Sequence, residues 1–136
     1  MVTARQLPGG DDTIVALATA AGRGAIAVIR LSGARAIDIA RALGASGGTL
    51  HKNTGLEPRR ATRVTLRHPN GEPLDDAVVT WFAAPRSYTG DDVVEISTHG
   101  GHVVPALVLA LVVVILAGPQ SWDEPRSKRV LTNIQV

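Results

Sequence analysis

Every residue from Ala106 to Ala117 is apolar, and that run restricts the folds open to this chain. Read as a helix over Val103 to Ala117, with Pro105 in the first turn where a missing N–H is tolerated, it has no polar face to turn toward water. It is also too short to cross a bilayer, which takes about 18 or more apolar residues. The run therefore calls for cover by protein, in a core or at a subunit interface.

The material for a sheet lies upstream. Thr13 to Thr19 and Ala25 to Leu31 read as strands around Ala20-Ala21-Gly22-Arg23-Gly24, whose glycines permit a sharp turn, so a hairpin or bent strand pair is expected first. Ser32-Gly33 then opens a helix over about Ala34 to Leu43 that stops near Gly44. Ala45 to Arg60 lacks a sustained period and reads as a surface loop containing the basic pair Arg59-Arg60. Ala61 to His68 and Ala77 to Ala83 flank Pro69-Asn70-Gly71-Glu72-Pro73 and predict an antiparallel hairpin. Asp92 to Thr98 supplies a further strand, with Asp91-Asp92 as a solvated approach to it.

Size and composition narrow the function. At 136 residues one core is expected, filled by aliphatic side chains because aromatic residues make up 3% of the chain. Base-stacking platforms for nucleic acid are disfavoured, and a net charge of +2 adds little in their favour. The absence of cysteine removes disulfides, thiolate nucleophiles and cysteine-based metal sites. The first dozen residues lack the apolar core of a secretory signal, which makes a cytoplasmic location with no membrane role the expectation. His99 and His102 lack a further well-placed ligand, so no metal is assigned. No G-x-x-x-x-G-K-[ST] occurs, so no GTP site is expected in this chain. The hydroxyls of Ser87, Tyr88 and Thr89 give no nucleophile–base arrangement, and no catalytic residue is assigned.

Two charges interrupt strands that otherwise read as buried. Alternation puts Ile26, Val28 and Arg30 on one face of their strand, and Val93, Glu95 and Ser97 on one face of theirs. A buried carboxylate is costly unless paired. Arg30 and Glu95 could form a salt bridge or emerge at strand ends. Alternatively they hold a polar ligand, Glu95 accepting two parallel N–H bonds from an amidine-like heterocycle edge such as that of a pterin and Arg30 engaging an oxygen. The turns Gly22-Arg23-Gly24 and His99-Gly100-Gly101 would let such a ligand approach the main chain.

Three ordered segments carry a family resemblance: Asp12-Thr13-Ile14-Val15-Ala16 with Ala18-Thr19; Gly22-Arg23-Gly24 through Arg30-Leu31-Ser32-Gly33; and Ser87-Tyr88-Thr89-Gly90-Asp91-Asp92-Val93-Val94-Glu95 followed by His99-Gly100-Gly101. Over about residues 12 to 104 the chain resembles the N-terminal domain of the bacterial and organellar tRNA-modification GTPase that acts at the wobble uridine. The resemblance implies an α+β fold with a mixed, largely antiparallel sheet and two or three helices, similar to the tetrahydrofolate-binding domain of aminomethyltransferase. It also implies binding of 5-formyltetrahydrofolate, homodimerisation, and, in the full family protein, a helical domain with an inserted GTPase, an FAD-dependent partner and tRNA. The family's folate-contact Arg falls on Arg30 and its Glu on Glu95. A third contact, a Lys in the family, falls on Gln135 here. On this reading residues 1–11 are a lead-in, 12–118 the folate-binding domain, and 119–136 a divergent polar tail. An interaction-only remnant, motivated by Gln135 and the apolar run, and a stand-alone folate-dependent one-carbon transferase are the alternatives.

Overall fold

The computed structural model describes residues 12–20, 22–45, 56–117 and 132–133. The proposed lead-in and nearly all of the proposed tail, Gln135 included, lie outside these residues. The chain is α+β: a sheet covered on one face by two helices. Its strands are β1 (Ile14–Leu17), β2 (Ile26–Ser32), β3 (Thr62–Arg67), β4 (Pro73–Phe82), β5 (Val93–His99) and a two-residue β6 (Thr132–Asn133). They lie in the order β3-β4-β5-β2-β1-β6. The first five run antiparallel to their neighbours, and β6 runs parallel to β1.

Alternation sorts the sheet into a packed and an open face. Ala27, Ile29 and Leu31 of β2 and Val94, Ile96 and Thr98 of β5 are buried. Against them pack α1 (Ala36–Ala40), which continues as a π-helical turn over Arg41–Ala45, and α2 (Val103–Ala117). Each fully buried aliphatic side chain in such a layer contributes roughly 1.5–3 kcal/mol. Among the described residues no helix covers the opposite sheet face, and Val28, Arg30, Glu95 and Ser97 are only partly buried. The expectation that β2 and β5 are buried on both faces is therefore corrected. One side of each strand is packed, and the two charges lie on the other.

The apolar helix forms over the expected residues, but only half of it is covered. Pro105, Val108, Leu109, Val112 and Leu116 are buried, whereas Val103 and Val114 are 69% and 63% exposed. A helix lying on one sheet face buries one stripe whatever its composition. Arg35 donates to the carbonyls of Leu116 and Ile115 at 3.1 and 3.3 Å, satisfying two of the last carbonyls of α2. Among the described residues no helix is long and apolar enough to cross a membrane.

Three local readings change. The helix expected from Ala34 begins at Ala36, and a neighbouring segment holds the residue before it: Thr13 Oγ1 accepts the Arg35 N–H at 3.0 Å. Ser32, the cap expected from sequence, instead bonds through its hydroxyl to Thr89 Oγ1 at 2.7 Å. Gly44 does not stop the helix, because the π-helical turn runs through it to Ala45. Strand β4 begins at Pro73 rather than near Ala77. The aspartates in its first half are satisfied by partners on the neighbouring strands. Asp75 accepts from the backbone N–H of His99 at 2.9 Å and pairs with its Nδ1 at 2.6 Å, while Asp76 accepts from Arg63 at 2.6 Å and Thr65 at 2.9 Å. The hydrogen bond from Arg63, with help from Thr65, holds the Asp76 carboxyl below its ordinary range.

Candidate functional site

On the open face, Arg30 of β2 stands directly opposite Glu95 of β5, which in turn faces Thr80 of β4. The charges singled out from sequence are thus neighbours by register, and they pair. Arg30 Nη2 donates to Glu95 Oε1 at 2.7 Å and Nε donates to the same oxygen at 3.1 Å. A fork-to-fork pair would engage both carboxylate oxygens. Here both donors converge on Oε1, and among the described residues Oε2 accepts no hydrogen bond. The side chains remain 37% and 30% exposed. A pair this wet is worth roughly 0–1 kcal/mol, so a competing partner can open it cheaply.

Beside the pair lies a cavity of about 500 Å³, lined by Arg30, Arg59, Phe82, Arg86, Ser87, Tyr88, Val93 and Glu95. The volume falls within the range of about 300–1,000 Å³ usual for small-molecule sites. Val93, across from Phe82 in the β4–β5 ladder and 1% exposed, gives the cavity an apolar floor. Tyr88 is 89% exposed, with the Arg30 guanidinium 5.6 Å from its ring centroid.

The wall is the loop between β4 and β5, and polar side chains tie it down. Asp92 Oδ1 accepts from Trp81 Nε1 at 3.1 Å and from the Ala84 N–H at 3.0 Å, and its carbonyl accepts from the Gly33 N–H at 2.9 Å. Ser87 donates to the Asp91 carbonyl, and Thr89 Oγ1 accepts the Asp91 N–H at 3.3 Å. Asp92, expected to be solvated, is therefore the clamp that sets the loop. The peptide between Ala84 and Pro85 is cis.

Not every expected site residue gathers here. Gly22, Arg23, Gly24, His99, Gly100 and Gly101 do not line this cavity. They lie at the other end of β2 and β5, where Ile26 pairs with His99. Glu95 and His99 are four residues apart along a strand, a separation of about 13 Å. The two turns do meet each other, since the Gly100 N–H donates to the Ala25 carbonyl at 2.9 Å. Gln135 lies outside the described residues. Among the described residues no group of three or more His, Asp or Glu is arranged to hold a metal ion.

Sequence reasoning missed Arg59, Phe82 and Arg86. The sequence puts Arg59 with Arg60 in a solvated loop, and Arg60 does pair with Glu57 at 2.9 Å. Arg59 instead donates its N–H to the Trp81 carbonyl at 2.7 Å and lies over Phe82, 5.9 Å from the ring centroid. The one available signal was adjacency in sequence: Phe82 and Arg86 lie just before the Ser-Tyr-Thr-Gly segment.

Comparison with known proteins bears on this arrangement. Residues 13–121 match the family described as GTP-binding protein TrmE N-terminus. The chain is 52% identical over 94 residues to the tRNA modification GTPase MnmE of Akkermansia muciniphila, an alignment covering 69% of this chain and 20% of that protein. Against the protein of the same name from Paramagnetospirillum magneticum it is 51% identical over 103 residues, covering 74% and 21%. Against that of Campylobacter jejuni it is 46% identical over 99 residues, covering 73% and 21%. The chain thus spans about a fifth of the length of the curated relatives it matches.

Proposed function

The chain belongs to the TrmE N-terminal family, and from that premise we propose that it serves a tRNA-modification GTPase acting at the wobble uridine, binding 5-formyltetrahydrofolate in the Arg30–Glu95 cavity. The observation that carries the ligand reading is the Oε2 of Glu95, which accepts no hydrogen bond among the described residues, beside a cavity of ligand size with an apolar floor. Glu95 would accept the paired N–H groups of the pterin edge, and Arg30 would donate to an oxygen of the same ring. Tyr88 offers an aromatic surface beside them. Bound there, the folate supplies a one-carbon unit at the formyl oxidation level. GTP hydrolysis, contact with tRNA and the FAD-dependent partner belong, on this reading, to the whole family protein. Calorimetric titration of the folded chain with 5-formyltetrahydrofolate should give saturable binding with one ligand per chain. A folded chain that binds none would remove the folate reading.

Homodimerisation is the second part of the proposal. Val103, Leu107 and Val114 form an exposed, uncharged stripe on α2, the surface we assign to a second copy. Sedimentation should find a dimer that Val114→Glu converts to monomer. A monomeric native chain would contradict the assignment.

A further inference from the structure

The groups that would hold a pterin at Glu95 are not particular to pterins. What the carboxylate meets is a ring N–H beside an exocyclic amino group, with a carbonyl oxygen next to them. Guanine carries the same three groups on its six-membered ring, and its O6 and N7 are acceptors that a guanidinium engages well. Among the described residues Glu95 Oε2 accepts no hydrogen bond, and Arg30 Nη2 stands 2.7 Å from Oε1 of the same carboxylate. A carboxylate and a guanidinium side by side are the complement of that edge. Register holds them together, since Arg30 and Glu95 lie directly opposite in the β2–β5 ladder.

Charge favours a nucleotide over the bare base. Arg30, Arg59 and Arg86 line the cavity against Glu95 as its one carboxylate, and among the described residues neither Arg59 nor Arg86 pairs with an acid. Three guanidiniums against one carboxylate leave a surplus of two positive charges. A phosphate monoester, which carries about −1.5 to −2 at neutral pH, matches it. Reach agrees as well. The Pro58–Arg59 segment runs beside β4 at Trp81, and β5 is the next strand across the sheet. Two strand spacings, about 10 Å, therefore separate the backbone at Arg59 from that at Glu95. Base, ribose and 5′-phosphate span such a distance. We propose that this cavity binds a guanine mononucleotide in competition with the folate, the base against Glu95 and Arg30 and the phosphate toward Arg59 and Arg86. Glu95 keeps the role it has in the folate reading, on which this assignment rests, while the ligand is of another class. Recognition through the base needs no P-loop, and what is assigned is binding without hydrolysis.

The test is calorimetry on the full chain with GMP, IMP and AMP, followed by titration of 5-formyltetrahydrofolate with GMP present. GMP should bind saturably, one molecule per chain. IMP lacks the 2-amino group and should bind at least about 10-fold more weakly, the loss of one hydrogen bond to a charged group. AMP presents no such edge and should show no measurable binding. With GMP at about ten times its own dissociation constant, the apparent affinity for the folate should fall about 10-fold. Glu95→Gln and Arg86→Gln, both checked for folding by circular dichroism, should each weaken GMP. A folded chain that takes up folate but not GMP would overturn the inference and leave the folate reading intact. So would IMP or AMP binding as tightly as GMP, GMP and folate bound together, or a GMP affinity unchanged in both variants. A folded chain that binds GMP and not 5-formyltetrahydrofolate would remove the folate reading and keep the guanine site.

Discussion

Glu95→Gln should weaken 5-formyltetrahydrofolate binding by about 100-fold, equivalent to about 2.8 kcal/mol, while leaving the fold nearly as stable as before. The amide keeps the shape of the carboxylate but removes its charge and puts an N–H₂ where an acceptor is needed. Two charge-assisted bonds are lost or weakened, each worth about 1.5–3 kcal/mol. The cost to stability is small for a separate reason. The Arg30–Glu95 pair is about a third exposed on each side, so losing it costs at most about 1 kcal/mol. Binding and stability are thus predicted to separate, and calorimetry beside thermal unfolding would check it. Equal affinity in the variant, or a weakening matched by unfolding, would assign Glu95 to structure alone.

Gly100→Ala should have the opposite profile, a large loss of stability arising outside the cavity. A Cβ at Gly100 would lie 1.8 Å from the Gly24 carbonyl oxygen and 2.6 Å from its carbon. Both are backbone atoms, so no rotamer change relieves the clash and the β2–β5 end must open. About 3 kcal/mol is expected, the upper part of the range for overpacking, which lowers the melting temperature by on the order of 10 °C. Gly101→Ala is the control. Its φ of +90 strains a side chain, but no atom lies within 4 Å of the added Cβ, so about 1–2 kcal/mol is expected. Similar melting temperatures for the two variants would contradict the close-approach account. The His-Gly-Gly turn is therefore read as a packing device for the strand ends, about 13 Å along the strand from the carboxylate it follows in sequence.

Arg30 and Glu95 were legible as a pair because each is a lone charge in an aliphatic strand, a pattern that survives without knowing register. Their depth was not. Whether a strand is covered on one face or two depends on where helices land, and both helices lie on the same side. The apolar run at Ala106 to Ala117 left core and interface equally open, since composition alone cannot show which stripe packs on the sheet. Arg59 was illegible for a different reason. It reaches the cavity through a parallel bridge between Pro58 and Trp81, a long-range contact with no local period. The bond from Arg35 to Thr13 and the clamp at Asp92 likewise join residues far apart in sequence or across a turn. Local patterns located the elements, while contacts between elements shaped the cavity.

The central claim is that the ligand enters the cavity beside Glu95. Chemical-shift mapping of the isotope-labelled chain during titration with 5-formyltetrahydrofolate tests it most directly. The account predicts the largest perturbations at the Arg30 Nε–H and at the amides of Phe82, Tyr88, Val93 and Glu95, with those of Gly22, Gly24, Gly100 and Gly101 little changed. Perturbations centred on the glycine turns instead, or a folded chain whose spectrum does not respond to the ligand, would contradict it.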